Sequence, residues 1–199
     1  MSNSTRGWMR RTKGATAMRI GLFFGAFLLA EAAQATTIVR MSLAEMSQTA
    51  KEIARVRCVS NATVWDSGEV WTLTTFEVEQ TWRGTLPAEI TVRLLGGHTA
   101  RVTSSVSGVP RFRPNEEAIL FLEPAQKGAF SVVAWQQGTF RIHRNIRSGE
   151  ETVTQDTAYF ATVDAGTREL AAKGVAAMPV ATFLNQVEMA LSGASRVTK

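Results

Sequence analysis

From Glu52 to His143 the chain is a succession of short stretches in which apolar and polar side chains alternate, each closed by turn-forming residues. Alternation at period two puts neighbouring side chains on opposite faces of a pleated strand, so the segment is committed to β-structure with one buried face. In Glu52 to Val64, Ala54, Val56 and Cys58 fall on one face and Arg55 and Arg57 on the other. Asp66-Ser67-Gly68 is a turn, and Val70 to Trp82 is rich in aromatic and β-branched residues. The phase of that second stretch slips, since Trp71 and Leu73 are odd-numbered while Phe76, Val78 and Trp82 are even. A bulge near Thr74-Thr75 would return both sets to one face and bend the strand as a barrel requires. Ile90, Val92 and Leu94 then point inward against Thr91 and Arg93, and after Gly96-Gly97 a long polar loop runs to Pro114. Ala118 to Leu122 (AILFL) is uninterrupted apolar sequence, the mark of a strand covered on both faces. Phe130 to Trp135 and Thr139 to His143 read as a hairpin turning at Gln136-Gln137-Gly138.

Helical signals flank this region. Ser42-Leu43-Ala44-Glu45 spells a capping box, which predicts a short helix to about Thr49. Residues 144–178 are polar and weakly patterned, with Tyr159-Phe160 as the aromatic anchor, and read as a loosely ordered excursion. Pro179 suits a first helical turn, and Val180, Phe183, Leu184, Val187 and Leu191 recur at helical spacing up to Gly193, a suitable stop. The expectation is a mainly β domain, a small partly open barrel over 36–143 with a short N-terminal helix and a C-terminal helix within 179–199. Length and pattern alone leave a β-sandwich open.

The N-terminus has the three parts of an export signal. Arg6, Arg10, Arg11, Lys13 and Arg19 form a basic leader, Ile20 to Ala30 is an uncharged apolar run, and Ala33-Gln34-Ala35 supplies the small-x-small pattern before a cut at Thr36. A spanning helix needs about 20 apolar residues, and Glu31 ends this run too early, so a retained anchor is the weaker reading. Translation from Met9 or Met18 would give a leader of more ordinary length. The signal peptide 1–35 carries five of the 22 basic residues and one of the 17 acidic ones, leaving 17 against 16 and a net charge of +1 instead of +5. The basic balance therefore belongs largely to the signal, which argues against a nucleic-acid partner. Cys58 is the single cysteine, so neither internal disulfides nor a cysteine-rich zinc site can form, and its phase points it inward.

The segment Thr37 to His143 resembles a group of uncharacterised exported bacterial proteins. The matching features are Thr37-Ile38-Val39-Arg40-Met41-Ser42-Leu43, Thr81-Trp82-Arg83-Gly84, Gly96-Gly97, Gly108-Val109-Pro110-Arg111-Phe112, Asn115-Glu116-Glu117 before AILFL, and Gln137-Gly138-Thr139-Phe140. Their order is also remotely similar to the netrin-type OB barrel of the tissue metalloproteinase inhibitors. That resemblance implies an OB-like fold and, as an alternative function, a protease inhibitor or protease-associated partner. The inhibitors reach a catalytic zinc with an N-terminal cysteine, and no cysteine lies near Thr36, so docking would have to use another edge.

No familiar catalytic or metal-binding constellation is spelled out. His98 and His143 are the two histidines, without H-E-x-x-H spacing, so no metal or cofactor is expected. Ser104, Ser105 and Ser107 lie near His98 without G-x-S-x-G or S-x-x-K spelling, which leaves a hydrolase as the least favoured class. Glu116-Glu117 and the same-face pair Glu77 and Glu79 could form an acid–base couple, but acids at strand starts more often solubilise them. Trp65, Trp71, Trp82 and Trp135 are read as core residues, with half-burial normal for Trp82 and Trp135 at strand ends and a stacking surface as the alternative. The loop 96–114 holds His98, Arg101, Arg111 and Arg113 and no acid, and with Arg93 it could form an anion-binding patch. The expectation is an exported, non-enzymatic binding module, periplasmic or secreted, that recognises a protein or extracellular polymer and stays off the membrane after cleavage. N-terminal sequencing of the exported fraction should read Thr36-Thr37-Ile38-Val39; an intact N-terminus in the cytosol would overturn both compartment and cut.

Overall fold

The computed structural model describes residues 38–156, 162–163, 170–171 and 175–197. The expected signal segment and the Ala35–Thr36 cut lie outside the described residues. The protein is mainly β, with one helix near each end of the described chain. Short β1 (Ile38–Val39) leads to α1 (Leu43–Thr49), which begins as expected: Ser42 Oγ accepts from Glu45 N–H at 3.2 Å, and Glu45 accepts from Ser42 N–H at 2.7 Å. The strands β2 (Glu52–Asp66), β3 (Glu69–Arg83) and β4 (Glu89–Leu95) form an antiparallel meander. β5 (Gly97–His98) and β6 (Thr103–Ser104) make a miniature hairpin, followed by β7 (Glu117–Pro124) and β8 (Phe130–Val132).

Pairing runs β2-β3-β4-β8-β7 and returns from β7 to β2, a ring of five strands. All contacts are antiparallel except β4 with β8, where the single parallel pair Val92–Phe130 makes a weak seam. A mainly β domain built round a ring-like, partly open sheet is what was expected, and the ring decides against the β-sandwich that the pattern alone left open. Inside the ring sit the even-numbered side chains Ala54, Val56, Cys58, Phe76, Ile90, Val92, Leu94, Ala118, Leu120 and Leu122.

β9 (Thr139–Arg144), β10 (Glu151–Gln155) and β13 (Met178–Pro179) continue the sheet from β7 outward, and β11 (Thr162–Val163) and β12 (Leu170–Ala171) join β1 in a small separate sheet. The outer face of β2, β7, β9 and β10 is covered by α1 and by α2 (Val180–Val197). Met46, Ile53, Ile119, Phe121, Phe140, Val153, Phe183 and Val187 form this second core, with Phe140 and Phe183 rings 4.5 Å apart. AILFL thus feeds both cores, its even residues into the ring and its odd ones under the helices.

Four expectations are corrected. Phe130–Val132 and Thr139–Arg144 do not form a hairpin: both lie end to end along one edge of β7, so the chain crosses from ring to wing at 133–138. β3 keeps one phase from Val70 to Phe76, burying Thr72 and Thr74 and leaving Trp71 and Leu73 on the outer face. Near Thr74-Thr75 the bulge lies instead on β2, where Val59 is the extra residue between the pairs Cys58–Phe76 and Ser60–Thr75, while further along β3 Glu79 and Trp82 are extra residues opposite the Arg55 region. The stretch read as a loose excursion contains β10, with Val153 buried, and α2 runs past Gly193. Tyr159-Phe160 lies outside the described residues.

Gly138 accepts the Phe121 N–H at 3.0 Å, and a Cβ there would come within 2.2 Å of the Val133 carbonyl oxygen. Gly138→Ala should therefore destabilise the fold by about 1–3 kcal/mol through overpacking. Phe140→Ala should cost about 3–5 kcal/mol through its cavity. Denaturant unfolding of both variants against wild type is the measurement.

Candidate functional site

The loop between β4 and β7 is more built than its polar composition suggests. β5 and β6 pair through Gly97–Ser104 and His98–Thr103, and the turn between them is held by Thr99, whose N–H donates to the Val102 carbonyl at 2.8 Å. Val106, Val109 and Phe112 then return into the ring core, where Phe112 meets Phe76 edge-on at 4.9 Å. Asn61 ties this return segment to β2, donating to the Phe112 carbonyl at 2.9 Å and accepting from Thr74 Oγ1 at 2.7 Å. Cys58, buried beside it, has its thiol pKa pushed up by burial and partly restored by Asn61.

The five cations expected to bind an anion separate into two groups. Arg93 is only 8 % exposed; its guanidinium meets Asp66 at 2.9 Å and lies 4.5 Å from the Trp71 ring centre, so its charge is met within the chain. Arg111 lays its guanidinium along the backbone, donating to the Leu95 carbonyl at 2.6 Å, and burial lowers its pKa from the usual arginine value. His98 is exposed, with Nδ1 2.6 Å from Thr103 Oγ1. Arg101, at the hairpin turn, and Arg113, at the end of the loop, are exposed, and neither guanidinium has an ion-pair or hydrogen-bond partner among the described residues.

Beside Arg113 the structure opens a pocket of about 290 Å³ that the sequence did not announce. The β7–β9 ladder ends at Ala118–Arg141, while β9 continues to Arg144 along β10, and the start of β7 stays with β2 through Cys58 N–H to the Glu116 carbonyl at 2.9 Å. The two strands part, and the fork is lined by Asn115, Glu116, Glu117, Ile142, His143 and Arg144, with Arg141 at its root. Arg141 reaches Glu116 at 2.7 Å and Asp156 at 2.8 Å, donates to the Arg111 carbonyl, and lies over the Phe112 ring. It joins loop and fork.

On the outer face Arg55 bridges Glu79, Glu117 and Glu151, Arg57 meets Glu77 and Glu79, and Arg144 meets Glu151 at 2.6 Å. Glu116, Glu117, Glu77 and Glu79, the sequence's acid–base candidates, are each engaged by a guanidinium. His143 Nε2 lies 2.9 Å from Thr154 Oγ1. No group of three or more potential metal ligands is present among the described residues. No helix among the described residues is long and apolar enough to cross a membrane.

Trp65 corrects the reading of the tryptophans as core, whereas Trp82 is half-buried as expected at a strand end. None of the four is fully buried: Trp65 is 61 % exposed, Trp135 39 %, and Trp71 and Trp82 are half-buried. Trp71 serves Arg93, Trp82 packs at the margin of the helix-covered core, and Trp135 follows Ala134 in a turn where both have positive φ. Comparison with protein families, with curated proteins and with solved structures found no match.

The Arg55 and Arg144 guanidinia hold the Glu151 carboxyl at about 2, well below its usual 4.5, and Lys127 with Arg93 holds Asp66 at about 2 from 3.8. Both carboxyls titrate lower in the fold than in an unfolded chain. Their stabilisation is complete above those usual values and drains away as pH falls toward about 2. Melting temperature should fall through that window, and the gap between wild type and Glu151→Gln should narrow on the way down.

Proposed function

We propose that this chain is an exported, non-enzymatic binding module that holds an acidic segment of a protein or extracellular polymer against the rim formed by the 96–114 loop. The observation that carries the reading is the contrast between arginines. Arg55, Arg57, Arg93, Arg141 and Arg144 all meet carboxylates, whereas Arg101 and Arg113 stand exposed on a loop without any acid. A guanidinium left unpaired on a well-braced loop presents its fork of donors to a carboxylate without first ordering the chain that carries it.

Bracing comes from below. Val109 and Phe112 are buried in the ring, and the β5–β6 hairpin fixes the other end, so the cations ride on core contacts. Val102, exposed next to Arg101, adds an apolar contact that a purely electrostatic clamp would lack. The acid candidates Glu77, Glu79, Glu116 and Glu117 each meet a guanidinium within the fold, which favours a structural role for them over proton transfer.

Replacing Arg101 and Arg113 together by alanine should reduce retention on a polyglutamate or uronic-acid matrix by about tenfold or more at low salt. Folding stability should stay within about 0.5 kcal/mol, as for surface changes generally. Arg147→Ala, an exposed arginine outside the loop, should leave retention unchanged. Equal retention of the double variant would exclude the loop as the binding element.

A further inference from the structure

Trp135 is a bulky aromatic in a place the backbone resists. It stands 39 % exposed, and both it and Ala134 have positive φ, 53° and 48°. A large side chain in that region is an outlier, tolerated where the surrounding structure imposes it and concentrated at binding sites. Here the imposition is visible. Trp135 N–H donates to the Val132 carbonyl at 3.1 Å, and the Trp135 carbonyl accepts from Thr139 Oγ1 at 3.0 Å. Val132 and Thr139 are themselves buried, so a fixed backbone carries an indole that stays in solvent.

That turn is tied to the 96–114 loop. Gln136 N–H donates to the Gly108 carbonyl at 3.1 Å, and Trp135 and Ser107 each lie one residue from this bond. Ser105 and Ser107 are exposed, and neither hydroxyl has a hydrogen-bond partner among the described residues. Arg113 follows Gly108 by five residues, a reach of at most about 18 Å even for extended chain. One stretch of rim thus holds an aromatic surface, free hydroxyls and an unpaired guanidinium.

We infer that the polymer held by this rim is a polysaccharide containing uronic acids, with a sugar ring laid on the Trp135 indole. The inference rests on the reading of the loop as the binding element. The face of an aromatic ring is negative and repels a carboxylate set over it, so Trp135 has to meet an apolar part of the ligand. A uronic acid supplies both halves in one residue: a C–H face that stacks on indole, and a carboxylate at the ring edge that takes a guanidinium fork. Its hydroxyls, each both donor and acceptor, match Ser105 and Ser107. The acid side chains of a peptide offer carboxylates without a face for the indole.

Retention on polygalacturonate and on polyglutamate of matched carboxylate density separates the two ligands. Wild type should bind polygalacturonate about tenfold or more tighter, and Trp135→Ala should remove about that factor while leaving polyglutamate binding unchanged. Trp135→Tyr, which keeps a ring, should retain most of the affinity. In wild type, trigalacturonate should also shift the tryptophan fluorescence, a readout that needs no variant to fold. Equal affinity for both polymers, polygalacturonate binding indifferent to Trp135→Ala, or unchanged fluorescence would each overturn the inference. The loop reading would survive those results if Arg101 and Arg113 were still required for retention, whereas retention of neither polymer by wild type would overturn both.

Discussion

The double burial of β7 is the constraint on which the rest of the structure turns. A strand with apolar side chains on both faces can satisfy neither face alone, so it must be the wall between two cores. Ala118, Leu120 and Leu122 close the ring, and Ile119 and Phe121 require a second layer, which α1 and α2 provide. The wing of β9 and β10 exists for the same reason: Phe140 and Val153 widen the outer face until it is broad enough for Phe183 and Val187 to pack. Without the helices the odd-numbered half of AILFL would face water.

Where the helical cover ends, the outer face of β2 changes chemistry within two residues. Ile53 lies beneath the helices, and Arg55 and Arg57 lie beyond them. Arg55 is only partly exposed, so its charge has to be met on the sheet itself, and carboxylates arrive from three strands: Glu79 on β3, Glu117 on β7 and Glu151 on β10. This is a partly buried network, for which removal of one member costs more than the surface average because it strands the others. Its acid sensitivity, and that of Asp66 between Lys127 and Arg93, follows from the same geometry at opposite ends of the face.

Local physics made much of this legible in the sequence. The capping box at Ser42 and Glu45, the two-faced AILFL strand, buried Cys58 and the face of α2 all depend on neighbours a few residues away. Pairing at long range did not show. The segments 130–132 and 139–144 both carry strand signals around a plausible turn, yet the partner of each is β7, and nothing local distinguishes that from a hairpin. β10 went unread because Val153 is its one deeply buried apolar residue, although Thr152-Val153-Thr154 has the β-branched alternation of a strand. The phase of β3 misled because Thr72 and Thr74 are buried polar residues, satisfied by the Gly96 carbonyl and by Asn61. Arg101 and Arg113 could be singled out from composition; the neutralisation of Arg93 could not, since Asp66 lies 27 residues away. The fork beside Arg113 is a product of strands diverging and has no spelling of its own.

The loop and the ring are therefore one object with two kinds of residue. Val109 and Phe112 belong to the core and are read by stability, whereas the Arg101 and Arg113 guanidinia have no hydrogen-bond or ion-pair partner among the described residues, and only their backbones are held. Arg141 is the exception that ties them together, because it holds the Arg111 carbonyl, the Phe112 ring, Glu116 and Asp156 at once. Losing Arg141 would loosen the loop from the wing and uncover two carboxylates beside the exposed cations. The positive charge of the rim would then be weakened without any change in the loop's own sequence. A basic rim on this scaffold is consequently a property of the β9–β10 wing as much as of the loop, and the wing in turn stands on the outer core that AILFL makes necessary.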